Sequence, residues 1–477
     1  MRGPRPGPLD EGSVYLLLQQ GGHVKLPRGC CSTDDTIELQ NFLRAVGDLL
    51  ITKHIVIPFK EHGIAVRQLC PHATEVVRRL QEEGYEAYIV GGSVRDLLLG
   101  KVPKDYDVAT DAIPEEVKTV FPRCRLIGRR FRLAHVRMGG TLIEVATFRG
   151  PQVSDDDDHK HKNGRILRDN VWGCLEEDAV RRDFTVNALF LDPISGDIQD
   201  FVGGYKDLSE RKLRLIGDAQ TRYREDPVRL LRAARFVAKL GVELGDETGR
   251  PVKEMAPLLN DIPPARLFEE VCKLFMTGHA SRTLEALQRF GLASALFPVL
   301  KAKGRSGKVI TGPLMEQAMK NTDERIAVQK PVTPAFLLAA LLWYPVRERA
   351  DALQAEGMQE YLALGQAADE VISKQVQRTA IPRRFSIITR QIWTMQPRFN
   401  HTHGRRAKSL MNERRFRAAY DFLLLRAVDD ESLKDLCDHW TEAQKGVKLN
   451  VGQGDLPREN APRSRRRRRR KPPVANT

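Results

Sequence analysis

Gly91-Gly92-Ser93-Val94-Arg95-Asp96, followed after a short apolar run by Lys104-Asp105-Tyr106-Asp107, is the most informative stretch of this 477-residue chain. Glu86 to Val90, just before it, reads as a strand. Gly91 and Gly92 then remove two Cβ atoms where the backbone turns, which lets a ligand approach closely. Ser93 to Leu99 reads as a short helix that Gly100 is placed to end. Strand, glycine turn and helix start together aim backbone N–H groups at an anion, and Arg95 adds a planar fork of donors suited to phosphate oxygens. Tyr106, Val108 and Ala109 favour a strand, where alternation puts Asp105 and Asp107 on one face. Two carboxylates held that close suit a hard cation such as Mg²⁺. Alone, each piece also fits a tight turn or a solvated strand edge; at this spacing they point to metal-assisted phosphoryl transfer on a nucleotide.

Upstream, the pattern from Ala73 to Glu83 is an amphipathic helix closed by Gly84. Downstream, Pro114 and the two glutamates after it mark a helix running to about Phe121. Leu126 to Met138 reads as one strand, Gly139-Gly140 as a two-residue hairpin turn, and Thr141 to Phe148 as the return strand. A two-glycine loop sets residues summing to 279 opposite each other, so His135 faces Glu144. Glu144 is thereby a candidate third metal carboxylate, or a polar residue on a half-exposed strand. Pro151 to Asn170, with four consecutive aspartates and a His-Lys-His, reads as a charged mobile loop rather than a metal site.

Glu176 to Ala188 gathers Arg181, Arg182, Asp183 and Asn187 in one helical or turn segment, a set able to hold a ribose and triphosphate. Tyr223-Arg224-Glu225-Asp226-Pro227 then opens a helix, with Asp226 as N-cap, Pro227 at the first position and Gly241 as terminator. On it Arg229, Arg232 and Arg235 share a drifting face. They repel unless they meet an anion, while Leu230, Leu231, Ala234 and Val237 face a core. No strand pattern survives beyond Gly241, so the second half is expected to be all helix. Arg383, Arg384, Arg405, Arg406, Lys408, Arg414 and Arg415 give it a basic surface.

These motifs resemble those of the class II nucleotidyltransferases, relatives of DNA polymerase beta that include CCA-adding tRNA nucleotidyltransferases and bacterial poly(A) polymerases. The resemblance spans about residues 54 to 445. It implies an α/β polymerase-beta-like nucleotidyltransferase head, an all-α neck and body, and a basic C-terminal tail. The expected domains are an unassigned extension (1–53), head (54–216), helical neck (217–275), RNA-binding body (276–450) and disordered Arg-rich tail (451–477). By the same resemblance Asp105, Asp107 and Asp183 are catalytic and two Mg²⁺ ions are held at Asp105 and Asp107, with Glu144, from the hairpin register, the candidate third ligand. Gly91, Gly92, Arg95, Arg182, Asn187, Glu225, Asp226, Arg229 and Arg232 bind the nucleotide. Glu225, Asp226 and Arg229 meet the base edge; Arg229 and Arg232 reach the phosphates. The shared motifs do not separate the two enzyme types. LIGRRFRLAHV from Leu126, REDPVRLLRAARF from Arg224 and the arginine-rich tail favour addition of AMP from ATP to RNA 3′ ends, and CCA addition is the alternative.

Composition agrees with a polyanionic partner. Lys plus Arg number 77 against 62 Asp plus Glu, a net charge of +15. Arg463, Arg465, Arg466, Arg467, Arg468, Arg469, Arg470 and Lys471 form a block that cannot fold alone and suits RNA through counterion release. Seven cysteines without a CxxC pair indicate neither a zinc site nor a disulfide framework. Ala335 to Tyr344, the longest strongly apolar run, is too short to span a bilayer. The expected setting is a bacterial cytoplasm, with RNA 3′ ends, ATP and RNA-decay proteins as partners.

Overall fold

The structure, a computed structural model, describes residues 54–128, 132–150, 172–300 and 311–445. The extension (1–53), the acidic loop (151–170) and the arginine tail lie outside the described residues. From Ile55 onward the chain forms one compact unit.

Its N-terminal part is an eight-stranded mixed sheet in the order β1-β8-β7-β2-β3-β6-β5-β4. The strands are β1 (Ile55–Ile57), β2 (Ala87–Val90), β3 (Asp107–Thr110), β4 (Cys124–Ile127), β5 (Leu133–Met138), β6 (Thr141–Thr147), β7 (Leu189–Leu191) and β8 (Ile198–Asp200). The β3–β6 pair is parallel and the other six pairs are antiparallel. Helix α1 (Pro71–Glu82) buries Ala73, Val76, Val77 and Leu80, one stripe at helical spacing, against one face of the sheet. That face supplies Val108, Ala134, Val136, Ile143 and Val145 to the same core. Helix α2 (Gly92–Leu98) follows the glycine turn, and α3 (Pro114–Val120) packs beside α1.

The hairpin forms as the two glycines require. Gly139 and Gly140 have φ of +55° and +88°, the double left-handed turn that matches strand twist. Its register pairs Met138 with Thr141 and His135 with Glu144. Three expectations need correction. Leu126 to Met138 is not one strand: the chain breaks at Gly128, φ +89°, and β4 pairs antiparallel with β5. Asp105 does not lie in β3, which begins at Asp107. A strand does follow Gly241: that residue, at φ +70°, turns the chain so that Glu243–Leu244 pairs in parallel with Lys212–Leu213.

Beyond the sheet the fold is helical. Helix α4 (Leu175–Arg181) precedes the last two sheet strands; α5 (Ala219–Glu225) and α6 (Val228–Leu240) follow them, then α7 (Pro264–Phe275) and the helices of the body. One apolar core runs from Phe184 through α6 and α7 to Leu425, and a smaller one around Phe399, Phe416 and Trp440 closes the C-terminal end. Within Ala335 to Tyr344, α8 (Pro334–Leu341) is a buried core helix. Among the described residues no helix is long and apolar enough to cross a membrane.

Candidate active site

The sheet, α4, α6 and α7 enclose a cleft of about 660 Å³ that gathers most of the motif residues: Gly91, Gly92, Arg95, Asp107, Arg182, Asp183, Asn187, Asp226, Arg229 and Arg232. A groove of about 620 Å³ in the body, walled by Met358, Tyr361 and Leu362, contains none of them.

The glycine turn is strained for any other residue. Gly91 sits at φ +76°, ψ −126°, and a Cβ there would stand 3.5 Å from the Arg182 guanidinium and 3.6 Å from the Asn187 carbonyl. Arg95 is almost wholly buried and engaged within the protein. Its guanidinium donates to Asp96 Oδ1 at 2.8 and 2.6 Å and to Asn187 Oδ1 at 2.5 Å. It therefore ties the glycine turn to the Arg182–Asn187 segment, in the cleft wall, where the sequence had suggested a free phosphate fork.

Asp107 and Glu144 are direct cross-strand partners on β3 and β6, and Asp105 stands exposed just ahead of β3. Asp107 is open to solvent at the cleft, yet desolvation by the surrounding protein and then the neighbouring Glu144, with a smaller push from Asp105, raise its carboxyl to about 6 against the pull of Arg182. A carboxyl whose proton affinity is raised by neighbouring carboxylates fits a divalent cation, which would relieve that repulsion. Among the described residues no three His, Cys, Asp or Glu side chains already stand in metal-holding geometry. His135 Nε2 lies 3.2 Å from Glu144 Oε1, though without hydrogen-bond alignment.

Asp183 belongs to a different group. It accepts from the Phe184 N–H at 2.8 Å, from Asn187 Nδ2 at 3.1 Å and from Arg232 Nε at 2.7 Å, with a second Arg232 contact. Burial alone would raise this carboxyl, but Arg232, Asn187 and the Phe184 N–H outweigh it and hold it below the usual carboxylate range. Arg182 is steadied by Asp178, at 3.1 and 2.7 Å, and by the face of Phe190.

Glu225, Asp226 and Arg229 are also held by bonds within the protein. Glu225 Oε2 accepts from Arg229 at 2.7 Å and from Arg222 at 3.0 Å. Asp226 accepts the Val228 N–H at 3.3 Å and Arg266 at 2.8 Å, so it reaches α7, but α6 begins at Val228 with Pro227 as its N-cap, one residue later than expected. Two features escaped the sequence reading. Arg222, on the unanticipated helix α5, donates to the Arg181 and Arg182 carbonyls and thus ties the head motif to Glu225. Arg266, Glu270 and Lys273 of α7 line the cleft too. Their one-faced spacing was the available signal, and it looked like an ordinary wet helix face.

Comparison with known proteins follows this geometry. Three family models match: "Poly A polymerase head domain" over 87–214, "Probable RNA and SrmB- binding site of polymerase A" over 241–303 and "Polymerase A arginine-rich C-terminus" over 356–473. The chain is 46% identical over 431 residues to poly(A) polymerase I of Salmonella typhi, covering 87% of this chain and 92% of that one. It is 44% identical to the Haemophilus influenzae poly(A) polymerase I, covering 82% and 88%. A CCA-adding enzyme of Geobacillus thermodenitrificans matches over 49% of this chain and 55% of its own, at 40% identity. Among solved structures, the Bacillus stearothermophilus CCA-adding enzyme in complex with CTP superposes with a TM-score of 0.52 at 27% identity, covering 80% of this chain and 85% of that one. The CCA-adding enzyme of Geobacillus matches about half of the chain, whereas poly(A) polymerase I of Salmonella matches 87% of it; by that likeness the chain belongs to the poly(A) polymerase I family of nucleotidyltransferases.

Proposed function

We propose that this chain adds AMP from ATP to RNA 3′ ends without a template, in a bacterial cytoplasm. The observation that carries the reading is the juxtaposition, in one cleft, of Asp107, whose cross-strand partner is Glu144, with the Arg182, Asp183 and Arg232 group. The likeness to poly(A) polymerase I supports the choice of ATP over CTP. Five described cysteines, all free thiols, suit a reducing compartment.

In this reading the RNA 3′-oxygen attacks the α-phosphorus of ATP, a new P–O bond forms, and the bond to the β-phosphate breaks to release pyrophosphate. Asp105, Asp107 and Glu144 are the residues to hold Mg²⁺, which when bound neutralises triphosphate charge and acidifies the 3′-hydroxyl. Gly91 and Gly92 allow the triphosphate close to the backbone, and Arg182 and Arg232 supply cations already aimed by Asp178 and Asp183. Glu225, Asp226 and Arg229 read the base from an ordered set of bonds, so little side-chain freedom is lost on binding. The test is incubation of pure protein with an RNA 3′ end and each nucleoside triphosphate separately. Long tails with ATP alone are expected; addition that stops after one CCA would overturn the reading.

A further inference from the structure

One sheet face carries α1 and α3; on the opposite face of β4, β5 and β6, Arg123, Arg125, Arg137, Leu142 and Glu144 are exposed among the described residues. Register places Asp107, Glu144, His135 and Arg125 in one cross-strand row, from β3 through β6 and β5 to β4. Cross-strand partners share a face, and burial agrees: Asp107, Glu144 and Arg125 are exposed, while the alternating Val108, Val145 and Val136 are buried. The next row on that face carries Leu142 and Arg137, with Arg123 reached by the Arg137 N–H at 3.2 Å to the Arg123 carbonyl. Strands lie about 4.8 Å apart, so the row leads about 14 Å from Asp107 to Arg125.

The arginines of this stretch divide by face. Arg132, of opposite parity, points to the helical side and pairs with Glu115 of α3. Arg123, Arg125 and Arg137 are exposed on the other side, and no described carboxylate pairs with them. Leu142, next to them, leaves 46% of its surface exposed. An unpaired cation row beside an exposed apolar side chain, starting at the carboxylates, matches a single-stranded polyanion with base faces to cover.

We propose that this face of β4–β6 is the track on which the 3′-terminal segment of the RNA lies, with Arg125, Arg137 and Arg123 on its phosphates and Leu142 under a base. This rests on the reading that RNA 3′ ends are the acceptor. The track leads the terminal nucleotide toward Glu144 and Asp107, while α4, α6 and α7 hold the incoming nucleotide from the other side.

The test compares the full chain with Arg125→Ala/Arg137→Ala, using a short oligoadenylate acceptor. The apparent KM for RNA is expected to rise at least about tenfold, the worth of one charge-assisted contact. The log–log salt slope is expected to fall by about 1.4, since single strands give roughly 0.7 per phosphate neutralised. KM for ATP and saturating kcat should not change, Arg125→Lys/Arg137→Lys should restore most of the affinity, and Arg132→Ala should leave KM for RNA alone. An unchanged RNA KM and salt slope, with AMP still added, overturns the track while sparing the underlying reading; a parent enzyme that adds no AMP to RNA refutes that reading instead. Should the double variant not fold, RNA carrying 4-thiouridine near its 3′ end is crosslinked to the parent. Crosslinks on Cys124–Met138 are expected, and crosslinks confined to the helical body overturn the track.

Discussion

Asp183 shows how the residues of this cleft are prepared before any ligand arrives. Its two oxygens are taken by Phe184, Asn187 and Arg232, so it holds the Arg232 and Asn187 side chains in place. Its carboxyl titrates below the unfolded value, so protonation favours the unfolded chain. The stability this group contributes is complete above about pH 4, its unfolded range, and is lost as pH falls through the lower folded value. Asp183→Asn is expected to flatten the acid limb of a denaturation profile; a limb as steep as the parent's would contradict this account. Asp226 raises a second question, because it is bonded to the first turn of α6 and is also proposed to read the base. Asp226→Ala should erode the preference for ATP over CTP by about 1–3 kcal/mol, the usual range for losing a buried polar partner. If only the melting temperature falls, Asp226 is merely a cap. That Asp183 and Asp226 line one cleft agrees with the reading of motif and spacing. Their partners were not legible: Arg222 and Arg266 meet them only through tertiary packing, and nothing in local sequence marks a surface-like arginine as a tether.

At the scale of elements, what could be read was what local physics dictates. The helix pattern before Gly84 emerged as α1, and the Gly139-Gly140 turn fixed the register that sets Glu144 beside Asp107. The break at Gly128 was missed because apolar alternation runs on both sides of it and only the third dimension folds β4 back on β5. Helix α5 was missed because its N-cap, Asp218, which accepts the Thr221 N–H at 2.7 Å, introduces a helix with almost no apolar stripe. The hairpin also permits a test of steric detail. A Cβ on Gly139 would stand 2.0 Å from His72 Nε2, whereas one on Gly140 meets nothing within 4 Å. Thr141 Oγ1, 3.1 Å from His72 Nδ1, keeps that ring in place. Gly140→Ala is therefore expected to cost about 1–2 kcal/mol, the left-handed penalty alone, and Gly139→Ala clearly more. In a His72→Ala background the two should converge in denaturant titrations; a persisting gap would place the strain elsewhere.

Across the whole molecule, the cleft draws on residues from the head motif at Gly91 to α7, within one unit whose apolar core runs on into the body. Exposed Arg383, Arg384, Arg405, Arg406, Lys408 and Arg414 continue the positive character toward the C-terminus. The arginine block at 465–470 lies beyond the described residues, yet its charge alone makes a prediction. Truncation after Leu456 should raise the apparent KM for long RNA and lower processivity at moderate salt, with saturating kcat preserved. If the tail engages half its eight cations, the salt slope should fall in magnitude by about three; an unchanged slope would assign the tail another partner. The central claim, that the carboxylates at the mouth of β3 carry out nucleotidyl transfer, is tested most directly by single-turnover AMP incorporation with Asp107→Asn, read beside RNA binding by the same preparation. The account predicts that incorporation is abolished while RNA affinity stays close to the parent's, since the arginines proposed to hold RNA lie elsewhere. Incorporation within tenfold of the parent would contradict it.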